Sequence, residues 1–298
     1  MRKVHRILVA LDFTEMDQHL INFLVRNQNL FTDLEQVYFT HVERTLNSEE
    51  SDEPLDEMLM QKVKDEVFSL DDTWLRSKAN FQIIEGDPLK KLLHWSEIKK
   101  VDLLMVGRKK PENGSGILMQ RLARKIRTSV LVIPPRDIEI NKILVSLDFS
   151  EHAELALKKA LQIAGCTTNP DLTGYHLFQI PSGYTKTGKT YEEMKVIMAQ
   201  NAETHFTDFL KKCKVSSQKI KPCIEHAKFA DIADKVIQAS HELKSDMIII
   251  GSKGQTFASW VLLGSIAERL IVKNDEAALL IVKKKNENFG FWQAFKEF

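Results

Sequence analysis

Cysteine is scarce in this chain of 298 residues, with only Cys166, Cys213 and Cys223 present. So small and odd a number does not make a disulfide framework, and the expected setting is a reducing one, the cytoplasm. Long hydrophobic runs are missing as well. No stretch approaches the roughly eighteen apolar residues of a membrane-spanning helix. The apolar segment near Met1 is too short and too soon interrupted for a secretory signal. Charge of one sign is also lacking: 42 basic and 41 acidic residues leave +1. That balance offers no electrostatic footprint for non-specific nucleic-acid binding, and no nucleic-acid partner is expected. What is present, 43% hydrophobic and 28% charged residues, suits packed cores under a soluble surface.

The chain carries one unit written twice. Ile7-Leu8-Val9-Ala10-Leu11-Asp12-Phe13-Thr14-Glu15 returns as Ile143-Leu144-Val145-Ser146-Leu147-Asp148-Phe149-Ser150-Glu151, an offset of 136 (143 − 7). Asp102-Leu103-Leu104-Met105-Val106-Gly107 returns as Asp246-Met247-Ile248-Ile249-Ile250-Gly251, an offset of 144 (246 − 102). A third pairing sets Leu122-Ala123-Arg124 against Ile266-Ala267-Glu268 at the same 144 (266 − 122). The expected domains are 1–135 and 140–284, parted at Pro134-Pro135-Arg136-Asp137, with an aromatic tail over 285–298.

Each copy alternates short apolar runs with longer amphipathic stretches. In the first, strands are predicted over 4–11, 37–42, 80–85, 101–106 and 129–133, and helices over 15–29, 55–78, 89–99 and 117–127. Strands are predicted in the second near 141–147, 172–179, 219–225, 246–250 and 278–282. Near-continuous Val, Ile, Leu and Phe mark strands buried on both faces. Gly86-Asp87-Pro88 reads as a helix start, with aspartate as cap and proline in the first turn. Five strands alternating with four helices predict an α/β fold, two tandem doubly wound parallel sheets.

In such sheets ligands bind beyond the carboxyl ends of the strands. There, in copy two, Asp148 and Ser150 follow the first strand. Gly251-Ser252-Lys253-Gly254 follows the fourth, and Gly264-Ser265 opens the next helix nine residues later. Glycine lets a backbone approach a ligand closely, and a helix start offers free N–H groups and positive potential to phosphate. The spacing G-x2-G-x9-G-S is not a Walker A loop, which ends in G-K-[ST]. Ordinary turns and a plain N-cap are the competing explanation for each residue taken singly.

The segments LVSLDFSE, IIIGSKGQ and LLGSIAERLI resemble the signatures of the universal stress protein family, and the likeness covers nearly the whole chain as two tandem domains. It implies a five-stranded, adenine nucleotide alpha hydrolase-like sheet of order 3-2-1-4-5. It also implies ATP, with or without Mg²⁺, bound through Gly251, Ser252, Gly254, Gly264 and Ser265. Asp148 would contact the adenosine side, Ser150 lies beside it, Leu177 (after His176) would line the adenine pocket, and Ile266 would offer its main chain to phosphate. Copy one departs from this pattern: at the offset of 144, Lys110 stands for Gly254, Gln120 for Gly264 and Arg121 for Ser265. Copy one is therefore expected to have lost nucleotide binding in the family's mode. Lys109, Lys110, Arg121 and Arg124 holding an anion by charge is the less favoured alternative.

Other signals are weaker. His41 and His176 stand at matched positions and are expected to be hydrogen-bonded near strand ends rather than catalytic. Cys223-x2-His226 with Cys213 lacks a fourth ligand at zinc spacing. Asp71-Asp72 and Glu192-Glu193 read as solvated helix faces. Asn47–Asp56 and Pro181–Lys189 read as surface excursions, plain connections before lids. In the tail, Phe291, Phe295 and Phe298 share a helical face behind Lys283–Lys285, and packing on the chain or on a second protomer is favoured over membrane or partner contact.

The expected function is a stress-response module regulated by an adenine nucleotide in copy two. The copies are expected to pair as an intramolecular pseudo-dimer through Thr128–Ile133 and Ala277–Val282, with a homodimer and an unidentified protein partner as further possibilities. No general base or Mg²⁺ ligand set is legible, so slow ATP hydrolysis is the most that is expected. The alternatives are a nucleotide-free scaffold and a carrier of another ligand in the same cleft, lipid-like or a cyclic nucleotide.

Overall fold

The computed structural model describes residues 3–45, 55–69, 72–108, 117–227, 231–254 and 263–284. The chain divides into two compact units between Glu139 and Ile140, and the segment from Asp275 onward is apportioned to both. The first repeat runs β1 (Arg6–Leu11), α1 (Glu15–Arg26), β2 (Gln36–Glu43), α2 (Leu55–Ser69), α3 (Thr73–Arg76) and β3 (Ala79–Glu85). It continues with α4 (Pro88–Ile98), β4 (Leu103–Gly107), α5 (Ile117–Lys125) and β5 (Ser129–Ile133). The second runs β6 (Lys142–Ser146), α6 (Glu151–Ala164), β7 (Asp171–Phe178), α7 (Tyr191–Lys212) and β8 (Lys221–His226). Then follow α8 (Ile232–Glu242), β9 (Met247–Gly251), α9 (Ser265–Lys273) and β10 (Ala278–Val282).

The strand order is β3-β2-β1-β4-β5 in the first repeat and β8-β7-β6-β9-β10 in the second, the expected 3-2-1-4-5 in both. The pairs β1·β2, β1·β4, β2·β3 and β4·β5 are parallel, as are β6·β7, β6·β9 and β7·β8. The central strands are sealed on both faces: Ile7, Leu8, Val9, Leu144 and Val145 are fully or almost fully buried. Each first strand is tied to its fourth-strand neighbour by one carboxylate. Asp102 accepts the N–H groups of His5 and Arg6 at 3.1 and 3.2 Å. Asp246 accepts those of Asn141 and Lys142 at 3.0 and 2.7 Å. The matched aspartates ahead of the fourth strands are thus parts of the fold.

Local chemistry sets the boundaries. Asp87 caps α4 by accepting the Lys90 N–H at 2.9 Å, with Pro88 in the first turn, as the sequence suggests. The helix expected over 55–78 is two helices, because Asp72 starts α3 by accepting the Leu75 N–H at 2.7 Å. Glu193 closes a capping box with Thr190 at the head of α7. Asp72 and Glu193 are therefore caps, not merely solvated helix faces. The connection after β5 is held down: the Asp137 carboxylate lies 2.9 Å from His19 Nδ1 and accepts from Asn22 and Arg26 on α1. Burial opposes its ionisation, but those partners outweigh it and keep the carboxyl below its usual range.

The structure corrects the third sequence pairing. α5 ends at Lys125 and α9 at Lys273, an offset of 148 (273 − 125) rather than 144. The buried residues agree, Met119, Leu122 and Ala123 matching Ala267, Leu270 and Ile271. So do the helix ends, where Ile126 donates to Leu122 and Asn274 to Leu270. A slip of four residues is about one helical turn and leaves the same face inward, so periodicity could not expose the error. Gln120 and Arg121 consequently sit inside α5, Arg121 exposed, and neither replaces Gly264 or Ser265. The counterpart of Ser265 is Ile117. Nine residues lie between Gly107 and Ile117, against thirteen between Gly251 and Ser265. At this offset copy one is four residues shorter between the matched positions, and Ile117 stands where copy two has Ser265. Lys109, Lys110, the stretch from Asn47 to residue 54, Lys285 and the tail 286–298 lie outside the described residues.

Candidate functional site

In the second repeat the strand order reverses between β6 and β9, and a crevice at the carboxyl ends of such strands is where a ligand fits. Asp148 and Ser150 follow β6, Leu177 lies near the end of β7, and Gly251 to Gly254 leave β9. Gly264, Ser265 and Ile266 open α9.

The turn after β6 is built to a demanding geometry. Phe149 has φ +63°, as Phe13 has +58° in the first repeat, a left-handed conformation that costs an L-residue about 1–2 kcal/mol. Packing offsets it. The Phe149 ring stacks on His176 at 4.1 Å and also meets Phe209 at 5.3 Å. His176 Nδ1 donates to the Leu147 carbonyl at 2.7 Å, pinning the end of β6. Burial lowers the His176 pKa against the pull of that bond and of Asp148, so the ring is neutral at pH 7. His41 repeats the arrangement, 3.1 Å from the Leu11 carbonyl and 4.1 Å from the Phe13 ring. Both histidines hold the turn.

With the turn fixed, Ser150 caps α6, its hydroxyl accepting the Ala153 N–H at 3.1 Å. Asp148 accepts the Ser150 N–H at 3.1 Å. Leu177 is half-buried, in register with Glu225 on β8. Ser150 therefore has a local role whatever else it touches.

Gly251 is required by space. A Cβ there would lie 2.7 Å from the His152 carbonyl carbon and 2.8 Å from its oxygen, so the end of β9 runs against the first turn of α6. Ser252 is buried and engaged three ways. Its N–H donates to the Val282 carbonyl at 3.0 Å, its carbonyl accepts the Gly264 N–H at 2.7 Å, and its hydroxyl bonds His152 Nδ1 at 3.1 Å. The expected free N–H of Gly264 is thereby used within the protein. What α9 offers lies one residue on. Its first intrahelical bond joins the Glu268 N–H to the Gly264 carbonyl at 3.0 Å, so the N–H groups of Ser265, Ile266 and Ala267 have no acceptor in their own helix. Among the described residues no side chain caps this end, and Ser265 is exposed. Arg269 and Lys273 pair with Asp231 and Asp234, bracing α9 on α8. Such an end accepts an anion.

The first repeat shows a different use of the same turn. Asp17, fully buried on α1, accepts the N–H groups of Asp12 at 3.1 Å and Phe13 at 2.7 Å. Its counterpart at the offset of 136 is Ala153, which cannot accept (153 − 17). Sequence reading passed over both Asp17 and His152. Their only signal was that they differ between otherwise matched copies. Among the described residues, no group of three or more His, Cys, Asp or Glu could hold a metal ion. No helix among them is long and apolar enough to cross a membrane.

Residues 139–282 match the model of the Universal stress protein family. The chain is 28% identical over 159 residues to Universal stress protein MJ0577 of Methanocaldococcus jannaschii, covering 49% of this chain and 96% of that protein. In fold it is similar to a universal stress protein from Archaeoglobus fulgidus, with a TM-score of 0.60 at 14% identity over 96% of this chain and 98% of that one. The Pseudomonas aeruginosa protein PA1789 gives 0.64 at 14% identity over 99% and 98%. The second repeat, residues 139–282, is a universal stress protein family domain.

Proposed function

We propose that the second repeat binds an adenine nucleotide, ATP foremost, and that the protein is a nucleotide-regulated binding module of the stress response. One observation carries this most directly: α9 begins without a side-chain cap among the described residues, with three N–H groups lacking acceptors in their helix, and Gly264 is bonded to the Gly251–Gly254 turn through Ser252. Phosphates would lie against Ser265, Ile266 and the backbone of Gly251 to Gly254, with Gly264 shaping the approach. Asp148 and Leu177 would hold the adenosine side, and Mg²⁺ would arrive on the phosphates. Ser252 and Ser150 would serve by fixing the backbone. Three free cysteines suit action in the cytoplasm.

The phosphates should dominate affinity. Titration calorimetry of the wild-type chain should show ATP binding at least about tenfold more tightly than adenosine, since charge-assisted bonds to the helix end are lost with the phosphates. Equal affinity for both would remove the phosphate from the site, and binding of neither would favour a nucleotide-free scaffold.

A further inference from the structure

The two repeats are a control for one another, and they disagree at a buried pair. His152 and Ser252 share a hydrogen bond of 3.1 Å between Nδ1 and the hydroxyl, with 7% and 2% of their surfaces exposed. At the same places the first repeat has Met16 (152 − 136) and Arg108 (252 − 144). The backbone around the pair is the same in both: the Arg108 N–H donates to the Ile133 carbonyl at 2.8 Å, as the Ser252 N–H donates to that of Val282 at 3.0 Å. The packing is kept too, with Met16 against Gly107 as His152 is against Gly251. A methionine therefore satisfies the fold at this position. The hydrogen bond is present where the connection to the last helix is long and ends in Gly264-Ser265.

We propose that His152 is a positioning residue of the nucleotide site, holding the Ser252 hydroxyl and, through the Ser252 carbonyl and the Gly264 N–H, setting the start of α9 against the Gly251–Gly254 turn. The chain of contacts is short: His152 to the Ser252 hydroxyl, Ser252 carbonyl to Gly264, Gly264 to the first peptide of α9. Without the histidine, the Ser252 hydroxyl is left buried without this partner. Its peptide loses the restraint that orients the carbonyl. The inference rests on the nucleotide reading above.

The test compares His152→Met, the first repeat's residue, with His152→Asn, which retains a hydrogen-bonding atom near the position of Nδ1, and with Ser252→Ala. Two measurements are made on the full chain: amide hydrogen exchange at Gly264 without ligand, and ATP affinity by calorimetry. His152→Met and Ser252→Ala should speed Gly264 exchange and weaken ATP binding by about tenfold each. His152→Asn should stay within about threefold of wild type in both. Packing alone would make methionine as good as asparagine or better. Unchanged Gly264 exchange in both His152→Met and Ser252→Ala overturns the positioning role, whatever ATP does. Faster exchange in a protein whose wild type binds no ATP leaves the tether standing but overturns the nucleotide reading, and the assignment to a nucleotide site with it. If His152→Met fails to fold, Ser252→Ala decides alone.

Discussion

Gly251→Ala is expected to destabilise the second unit by about 3 kcal/mol, while Gly107→Ala at the equivalent place costs about 1 kcal/mol or less. Chemical denaturation of the two variants beside the wild type measures this. The difference follows from what each new methyl group meets. At Gly251 it meets the His152 backbone, with the carbonyl carbon at 2.7 Å and the oxygen at 2.8 Å. Backbone in the first turn of a helix cannot step aside alone, so α6 or β9 must shift. At Gly107 it meets only the Met16 side chain, with Cε at 3.0 Å, Cβ at 3.1 Å and Cγ at 3.2 Å, so the flexible end turns away and the rest gives by a few tenths of an ångström. Neither glycine has a positive φ, so alanine imposes no backbone strain, and its lower unfolded-state entropy offsets a few tenths of a kcal/mol in both. Because β9 carries the turn to Ser252, Gly251→Ala should also abolish ATP binding at millimolar nucleotide. Equal losses of stability in the two variants would contradict the close approach of β9 to α6.

Asp17 is the second large effect, and it has a sign. Burial drives its pKa from 3.8 up to about 7, against the hydrogen bonds it accepts from Asp12 and Phe13, with the charges of Asp12 and Glu66 pushing further upward. Lys62, which attracts Glu66, is the nearby counter-charge. A carboxyl that holds its proton more tightly when folded stabilises the native state below the unfolded pKa. That contribution is lost as pH rises from about 4 to about 7, with no further loss above. The whole loss is at most about 4 kcal/mol, from three pKa units at about 1.4 kcal/mol each. Asp17→Asn resembles the protonated acid at every pH. Urea unfolding at pH 5 and pH 8 should therefore find the variant more stable than wild type at both, with a lead that grows by about 2–3 kcal/mol between pH 5 and pH 8. A difference independent of pH would show that Asp17 does not titrate in this window.

Much of the fold was legible because its inner strands are buried on both faces and so are written as largely aliphatic runs. β5 and β10 have the bounds predicted, and β1, β2, β4, β6, β7 and β9 lie within one or two residues of theirs. The amphipathic helices were legible in kind but not in register. An α-helix repeats its inward face about every four residues, and the pairing of α5 with α9 slipped by that distance without a visible fault. Paired acids such as Glu192-Glu193 look alike in sequence whether they face water or cap a helix. Only the position of the helix start distinguishes them.

Around the candidate site, the glycines and Ser265 stood out because glycine and hydroxyl residues punctuate apolar text. His152 did not, since a histidine inside an amphipathic helix carries no spacing signal. Its contact with Ser252, a hundred residues away, exists only once β9 lies against α6. Asp17 was hidden for the same reason. A carboxylate in a helix's first turn is ordinary in sequence, and its burial depends on the turn between β1 and α1 folding back over it.

The central claim is that the start of α9 binds phosphate, and Ser265→Glu tests it most directly. Glutamate in the first turn favours the helix through its dipole, so the unfolding midpoint should hold or rise slightly. The same carboxylate stands where the phosphate would lie and repels it. Calorimetric titration of wild type and Ser265→Glu with ATP at one ionic strength should show binding to the wild type and at least about tenfold weaker binding to the variant. ATP bound with equal affinity by both, with the variant folded, would contradict the assignment of the site.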